Sequence, residues 1–163
     1  MKPIGPRSPA PLDLERFLPF RLSVLANRLT RAVARVYMQR FHLSAPEWRT
    51  MAVLGLYGAM SANTVVERTA MDKVRVSRAV ARLLAAGRIT RRTDVEDRRR
   101  AILDLTAKGR ADYDQIVPMV LAVERELLSE LAAEERSMLD QILRKLERHT
   151  AADFAGAIED IED

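Results

Sequence analysis

The chain has 163 residues and no cysteine; 48% of its residues are hydrophobic and 31% are charged. This length and composition predict one domain, or one core with a helical appendage, and argue against a disordered chain. Without cysteine there are no disulfides, thiol nucleophiles or cysteine-ligated zinc. Since no apolar run approaches the roughly 20 residues of a membrane span, and the N-terminus lacks the apolar core of a signal peptide, we expect a cytoplasmic protein.

Positive charge is concentrated in one stretch, residues 73–100. This stretch holds ten lysines and arginines against three acids, a net charge of +7, whereas the whole chain carries only +4. The remainder therefore carries a small negative charge. A local basic patch of this kind is typical of proteins that bind a polyanion, most often nucleic acid.

The N-terminal part of the sequence predicts a flexible arm followed by a long helix. Residues 1–12 contain four prolines, which favour an extended, mobile segment. Pro19 suits the first turn of a helix that ends near Arg40, because a backbone N–H is not needed there. One face of this helix carries apolar residues at helical spacing: Leu18, Leu22, Leu25, Leu29, Val33 and Val36.

Capping residues predict the next two helices. Ser44 and Glu47 have the spacing of a capping box, which starts a second helix that Gly58 ends. Ser61 caps a short third helix that runs to about Thr69. The second helix has Trp48, Met51, Ala52, Leu54 and Leu56 available to bury, and the third holds Val65 and Val66.

Asp72 caps a fourth helix, and Gly87 stands where a left-handed C-terminal cap belongs. Its predicted inner face is apolar and consists of Val76, Val80, Leu83 and Leu84. Its predicted outer face is polar and mostly basic and consists of Arg75, Ser77, Arg78 and Arg82.

After the fourth helix, the spacing of apolar residues changes from that of a helix to the alternation of a strand. Residues 88–92 and 101–105 alternate between polar and apolar side chains across a charged turn, which predicts a two-stranded hairpin. Thr106 caps a fifth helix that is predicted to reach about Leu131, and a sixth begins near Ala133. The sixth helix has an apolar stripe of Met138, Leu139, Ile142, Leu143 and Leu146, and an acidic tail follows it.

Two short helices, a basic capped helix and a basic hairpin predict a mainly α fold with a small β-hairpin wing, a winged helix-turn-helix. In that fold the fourth helix enters the major groove and the tip of the hairpin reaches the neighbouring minor groove. We therefore predict a DNA-binding lobe at residues 43–106, an N-terminal dimerisation helix at 13–42, and C-terminal dimerisation helices with the acidic tail at 107–163. A two-fold dimer reads a pseudo-palindrome in double-stranded DNA.

The candidate DNA contacts are the outward residues of the fourth helix and those of the hairpin. An arginine such as Arg78 can bind guanine through two hydrogen bonds, whereas other basic residues pair with phosphates. Val74 either touches a thymine methyl group or only packs against the protein. A solvated helix face is the alternative for the arginines, but the basic hairpin that follows favours DNA. The predicted set is Lys73, Val74, Arg75, Ser77, Arg78, Arg82, Arg92, Asp97, Arg98 and Arg99.

The sequence resembles the MarR family of bacterial transcriptional regulators. The resemblance lies in four segments taken in order: residues 43–49 (LSAPEWR), 72–78 (DKVRVSR), 87–89 (GRI), and the wing signature DVEDRR at 94–99 with LTAKG at 105–109. It implies a homodimer, mostly a repressor, bound to a palindromic operator and released by a small molecule, often a phenolic or aromatic carboxylic acid. It also implies that Asp97 orients Arg99 toward the minor groove. The lack of cysteine excludes the peroxide-sensing branch of the family.

The resemblance places a small-molecule pocket where the dimerisation helices meet the DNA-binding lobe. Trp48 is expected in the core with a partial ligand role left open, and His42 is either a structural hydrogen-bonding residue or a ligand contact. An anionic ligand needs an arginine. The candidate pocket residues are Arg21, Arg28, Tyr37, His42, Trp48 and Arg49.

The sequence gives little support to the hypothesis that the protein is an enzyme. It contains no G-x-S-x-G, P-loop or G-x-G-x-x-G motif, and its two histidines do not have metal-ligand spacing, so we expect no catalytic residues, metal or cofactor. Two alternatives to a sequence-specific regulator remain open: an architectural DNA-binding protein without sequence preference, and a winged-helix module that binds an acidic protein.

Overall fold

The computed structural model describes residues 12–93 and 101–153, the last three by their backbone alone. Within these ranges the chain forms six helices and one three-stranded antiparallel sheet, which confirms the prediction of a mainly helical fold with a small β-hairpin. The elements, in chain order, are α1 (Leu18–Phe41), α2 (Ala45–Tyr57), β1 (Met60–Ser61), α3 (Ala62–Thr69), α4 (Lys73–Ala85), β2 (Ile89–Thr93), β3 (Ala101–Leu105), α5 (Ala107–Leu127) and α6 (Ala133–Asp153).

The helices of the central region begin at the predicted capping residues. At the start of α2, the Glu47 carboxylate accepts a hydrogen bond from the Ser44 N–H at 3.1 Å. At the starts of α3, α4 and α5, the side-chain oxygens of Ser61, Asp72 and Thr106 accept from the N–H groups of Thr64, Arg75 and Gly109 at 3.2, 2.8 and 3.0 Å. Each of these four bonds satisfies an N–H group that the first turn of a helix leaves without a partner.

The end of α4 is a Schellman motif built on Gly87. This glycine has a φ of +66°, which a residue without a Cβ adopts at little cost. Its N–H donates to the Leu84 carbonyl at 3.0 Å, and the next N–H, that of Arg88, donates to the Leu83 carbonyl at 2.9 Å. The chain therefore turns sharply from α4 into β2.

The sheet has the order β1-β3-β2, so β3 is its central strand. The predicted hairpin is present: Ile89 pairs with Leu105, and Thr93 pairs with Ala101. Strand β1 pairs with β3 through Met60 and Ser61 and was not predicted. Two residues are too few to show the alternation that identifies a strand, so only its distant partner makes β1 recognisable.

Helix α5 ends at Leu127, so the prediction that it reaches about Leu131 is wrong. The Ser129 hydroxyl donates to the Glu126 carbonyl at 2.7 Å, and the Ser129 N–H donates to the same carbonyl at 3.1 Å. A serine that binds a nearby carbonyl in this way offers the backbone an alternative to the next helical turn. The predicted start of α6 at Ala133 is confirmed.

Contacts between residues divide the chain into two compact units, one ending at Val120 and one starting at Leu121. The apolar core of the first unit is formed by the second half of α1, by α2, α3, α4 and the sheet, and by the first half of α5. The predicted inner face of α4 is confirmed, with Val76, Val80 and Leu83 buried and Leu84 half-buried. The largest fully buried side chains are Tyr37, Leu43, Met51, Leu54, Leu83, Leu103, Ile116, Val65, Val76 and Thr50.

Two long apolar stripes lie at the surface of the chain. In the first half of α1, Leu18, Leu22 and Leu25 are between 41% and 51% exposed. In α6, the stripe of Met138, Leu139, Ile142 and Leu143 is between 40% and 57% exposed. None of the helices in the described ranges combines the length and apolar character that crossing a bilayer requires.

Candidate nucleic-acid interface

Helix α4 presents one exposed, mostly basic face. Its buried residues Val76, Ala79, Val80 and Leu83 occupy the side that packs on α2 and α3. The opposite side carries all six predicted contacts of this helix in exposed positions: Lys73, Val74, Arg75, Ser77, Arg78 and Arg82. The Schellman motif and the Asp72 cap set both ends of this face.

The Val74 side chain stands near the start of the face and is 57% exposed. A side chain of this size with most of its surface in solvent is available to a partner molecule. Its contact with a thymine methyl group stays a prediction. Arg75 beside it pairs with Asp72 through Nε and Oδ2 at 3.0 Å, and both side chains are exposed. An exposed pair of this kind contributes little stability, so the guanidinium can exchange its carboxylate for a phosphate at small cost.

Arg82 has an intramolecular partner that is buried. Its Nη1 lies 3.5 Å from Oε1 of Glu47, whose side chain is 8% exposed, whereas the arginine side chain itself is 75% exposed. The other Glu47 oxygen accepts the Ser44 N–H, so this one carboxylate serves both the start of α2 and the last turn of α4. Arg78, one turn before Arg82, has no ion-pair partner among the described residues.

Strand β2 adds basic side chains next to α4. Arg92 pairs across the hairpin with Ile102 and is exposed, as are the other residues of β2 apart from Ile89. Three predicted contacts at the tip of the hairpin, Asp97, Arg98 and Arg99, lie outside the described residues.

A cleft of about 260 Å³ joins the start of α4 to the sheet. Its polar lining includes Lys73 and Ser77 from α4, Asn63 from α3 and Arg91 from β2, and its apolar lining includes Val76. Asn63 and Arg91 were not among the predicted contacts. Arg91 is the neighbour of Arg92 in a strand whose residues after Ile89 are all exposed. This adjacent pair of positive charges is the signal in the sequence that could have identified it.

The six candidate pocket residues lie in different parts of the first unit. Arg21 and Arg28 line an open cleft of about 440 Å³ along the first half of α1, together with exposed leucines of that helix. His42, in a left-handed conformation at the end of α1, lines a second cleft of about 440 Å³ that also includes Glu47 and Arg82.

The aromatic candidates belong to the core. Tyr37 and Trp48 are buried, and their rings stack with centroids 5.6 Å apart; Tyr113 continues the stack at 5.9 Å from Trp48. Burial raises the pKa of the Tyr37 phenol above its usual value, while the positive charge of Arg49 acts in the opposite direction. Arg49 is exposed, and its Nη2 donates to the Thr30 hydroxyl at 3.2 Å.

The exposed arginines and lysine of α4 and β2 give the described surface a positive charge that suits an anion. In residues 12–93 and 101–150, no group of three or more histidines and acids has the arrangement that holds a metal ion. Several guanidinium groups instead share one exposed surface formed by α4 and β2. Such a surface matches the phosphate backbone of a nucleic acid and can also present arginine forks to base edges.

Comparison with known proteins gives consistent matches. The sequence model described as "MarR family" matches residues 43–100. The chain is 30% identical over 142 residues to the HTH-type transcriptional regulator PecS of Dickeya dadantii, an alignment that covers 85% of each protein.

Solved structures match over most of the chain. A MarR/EmrR family transcriptional regulator from Acinetobacter sp. ADP1 is 27% identical with a TM-score of 0.79, covering 86% of this chain and 99% of that one. BpsR of Bordetella bronchiseptica is 25% identical with a TM-score of 0.75, covering 85% and 98%. The BpsR structure concerns regulation of its DNA binding by 6-hydroxynicotinic acid.

Proposed function

Because the chain belongs to the MarR family of transcriptional regulators, we propose that it acts as a homodimer which binds a pseudo-palindromic operator and represses transcription until a small aromatic or phenolic acid releases it. Membership confirms the predicted resemblance, the winged-helix fold, and the prediction of a DNA-binding regulator rather than an enzyme. The observation that carries the proposal is the exposed basic face of α4 beside β2.

The proposed DNA contacts divide into two kinds. Helix α4 enters the major groove, where Arg78 binds a guanine through two hydrogen bonds, while Lys73, Arg75 and Arg92 neutralise phosphates. The wing, defined here as β2, β3 and the turn between them, reaches the adjacent minor groove. There, Arg98 and Arg99 meet the focused negative potential of a narrow groove, with Asp97 orienting the guanidinium of Arg99.

The proposed dimer is supported by the two exposed apolar stripes. Leucines of the first half of α1 and the α6 stripe from Met138 to Leu143 leave large side chains in solvent when the chain is alone. Burial of a leucine or isoleucine side chain contributes about 1.5 to 3 kcal/mol, so a second copy that covers these stripes gains substantial free energy. We assign residues 13–42 and 107–163 to dimerisation and residues 43–106 to DNA binding.

The proposed ligand class rests on chemistry and on one relative. BpsR responds to a hydroxylated aromatic carboxylic acid. In the present chain, Arg21 and Arg28 line the same cleft as leucine side chains of α1, so an aromatic ring has an apolar surface there and its carboxylate has a guanidinium. Tyr37, His42, Trp48 and Arg49 complete the proposed set of ligand-responsive residues.

The proposal is tested by fluorescence anisotropy on labelled DNA from upstream of the protein's own gene, with a random duplex as the control. Titrations at two salt concentrations give the number of phosphates neutralised, because the logarithm of affinity falls with a slope of about −0.9 per phosphate. A panel of hydroxylated aromatic acids, including 6-hydroxynicotinic acid, and their coenzyme A thioesters is then added.

We expect tight binding to the upstream fragment that one compound abolishes. Equal binding to both duplexes, unchanged by every compound, would instead identify an architectural DNA-binding protein. Weak binding with little dependence on salt would point to an acidic protein as the partner.

A further inference from the structure

Arg88 occupies the junction between α4 and the wing, and its guanidinium is bonded to two other elements. Its Nε donates to Oδ2 of Asp112 in α5 at 2.7 Å, and its Nη2 donates to the carbonyl of Phe41 at the end of α1 at 2.8 Å. The Arg88 and Asp112 side chains are 15% and 17% exposed. One side chain thus joins α1, α5 and the start of β2 within the first compact unit.

The backbone of Arg88 is held as closely as its side chain. Its carbonyl accepts the Thr106 N–H at 3.0 Å. The Thr106 hydroxyl lies 3.1 Å from the same carbonyl and 2.8 Å from the preceding one, that of Gly87, so its one proton is shared between them. The first turn of α5 approaches so closely that any side chain at Gly109 would collide with the Arg88 carbonyl. Lys108 adds a bond from its Nζ to the Ala86 carbonyl at 2.8 Å, at the end of α4.

Apolar contacts anchor the wing at few points. Ile89 is the buried residue of β2, and Leu103 is the buried residue of β3 within the described strands. Strand β3 is also held by its pairing with β1, whereas β2 is an edge strand, so the direction of the wing depends on how the start of β2 is held. A planar guanidinium with two fixed acceptors restrains that start, because both of its hydrogen bonds are directional.

A half-buried ion pair is weak evidence for stability, since the cost of removing two charges from water offsets most of their attraction. The pair does, however, fix the orientation of the Arg88 guanidinium. We propose that Arg88 is a positioning residue for DNA binding: with Asp112 and the Phe41 carbonyl, it fixes the angle at which the wing leaves α4. The proposal goes beyond the function proposed above and rests on the wing–DNA contact included there.

The test uses two full-length variants and one matched control. Asp112→Asn removes the carboxylate charge that holds the guanidinium. Arg88→Lys keeps the positive charge but replaces the planar fork, whose two nitrogens reach the two acceptors, with a single ammonium group. Asp114→Asn, two residues along the same helix at an exposed position, removes the same charge away from the junction. Each protein is titrated on the upstream DNA fragment, footprinted with hydroxyl radicals, footprinted in the major groove with dimethyl sulfate, and melted thermally.

We expect both junction variants to bind the fragment about 2-fold to 30-fold more weakly, the range typical of residues that couple two sites. They should lose protection of the flanking minor grooves but keep protection of guanines under α4. The Asp114→Asn control should match the wild-type protein in both footprints.

Wild-type affinity and footprints in both junction variants would overturn the role of Arg88. A uniform loss of protection in both grooves, in step with a lower melting temperature, would also overturn it, because it would indicate a purely structural pair. A wild-type protein that leaves the flanking minor grooves unprotected would contradict the wing contact itself, and with it this proposal.

Discussion

Arg78 and Arg82 lie one turn apart on the exposed face of α4, yet their surroundings differ. Arg82 is 3.5 Å from the buried carboxylate of Glu47, whereas Arg78 has no ion-pair partner among the described residues. A contact with DNA must draw Arg82 away from a carboxylate that water cannot easily solvate, and this lowers the gain from the contact. Arg78 meets no such cost, so it is the better candidate for reading a base.

Arg78→Ala is expected to narrow the difference in affinity between the upstream fragment and random duplex by about 1 to 3 kcal/mol, because it removes a two-bond contact with guanine. Anisotropy titrations on both duplexes measure the difference. Arg82→Ala is the matched control on the same face and should narrow it less. Equal losses on both duplexes would instead identify Arg78 as a phosphate contact.

Tyr37 makes the stability of the fold fall at alkaline pH. Burial raises the pKa of its phenol, so at high pH the folded chain keeps a proton that the unfolded chain loses. Its contribution to stability is therefore complete below the unfolded pKa of about 10 and is lost as the pH rises through the folded value.

The Tyr37→Phe variant should lose less unfolding free energy than the wild-type protein between about pH 9 and about pH 11. Urea denaturation at each pH measures the difference, and Tyr57→Phe, at an exposed position, is the control. Parallel curves for Tyr37→Phe and the wild-type protein would contradict the prediction.

At the scale of elements, the start of a helix is set by residues close in sequence, whereas its contacts with other elements involve residues far apart in sequence. Ser61, Asp72 and Thr106 cap helices through bonds that span three residues, so their roles follow from the sequence. The approach of α5 to the junction after α4 depends instead on Gly109, which meets the Arg88 carbonyl. The sequence around a glycine in a helix does not predict which distant group will pack against it.

Gly109→Ala is expected to destabilise the protein by roughly 1 to 3 kcal/mol, because the added methyl group meets backbone that cannot move aside. Helix propensity alone predicts the opposite sign, a gain of about 1 kcal/mol. Urea denaturation distinguishes the two. Ala111→Gly, at an exposed position of α5, is the control and should cost about 1 kcal/mol through propensity. A Gly109→Ala variant more stable than the wild-type protein would show that the junction can relax.

At the scale of the whole molecule, the unpaired apolar stripes are the clearest sign of assembly. The α6 stripe exposes Met138, Leu139, Ile142 and Leu143, which together form a patch that isolated proteins seldom leave in water. The first half of α1 has a similar stripe. A second copy of the chain is the simplest cover for both, since a two-fold axis presents the same stripe twice.

Ile142→Glu is expected to convert the proposed dimer to monomer and to weaken binding to the upstream fragment, because a charge in the stripe cannot be buried without a partner. Light scattering after size-exclusion chromatography gives the mass, and anisotropy gives the affinity. Gln141→Glu introduces the same charge at the neighbouring polar position and should leave both unchanged. A variant at residue 142 that stays dimeric would move the interface away from α6.

The sequence by itself determined the helix starts, the buried face of α4, the hairpin and the family. Each of these features depends on residues a few positions apart, or on a linear motif. Only the tertiary structure decided that Arg82 meets Glu47, that Arg88 meets Asp112 and the Phe41 carbonyl, and that β1 joins β3. It also decided that Tyr37 and Trp48 stack in the core while Arg21 and Arg28 line a separate cleft. Periodicity shows whether a side chain faces the core or the solvent. It does not show which distant group will lie beside that side chain, because that choice depends on how the elements pack.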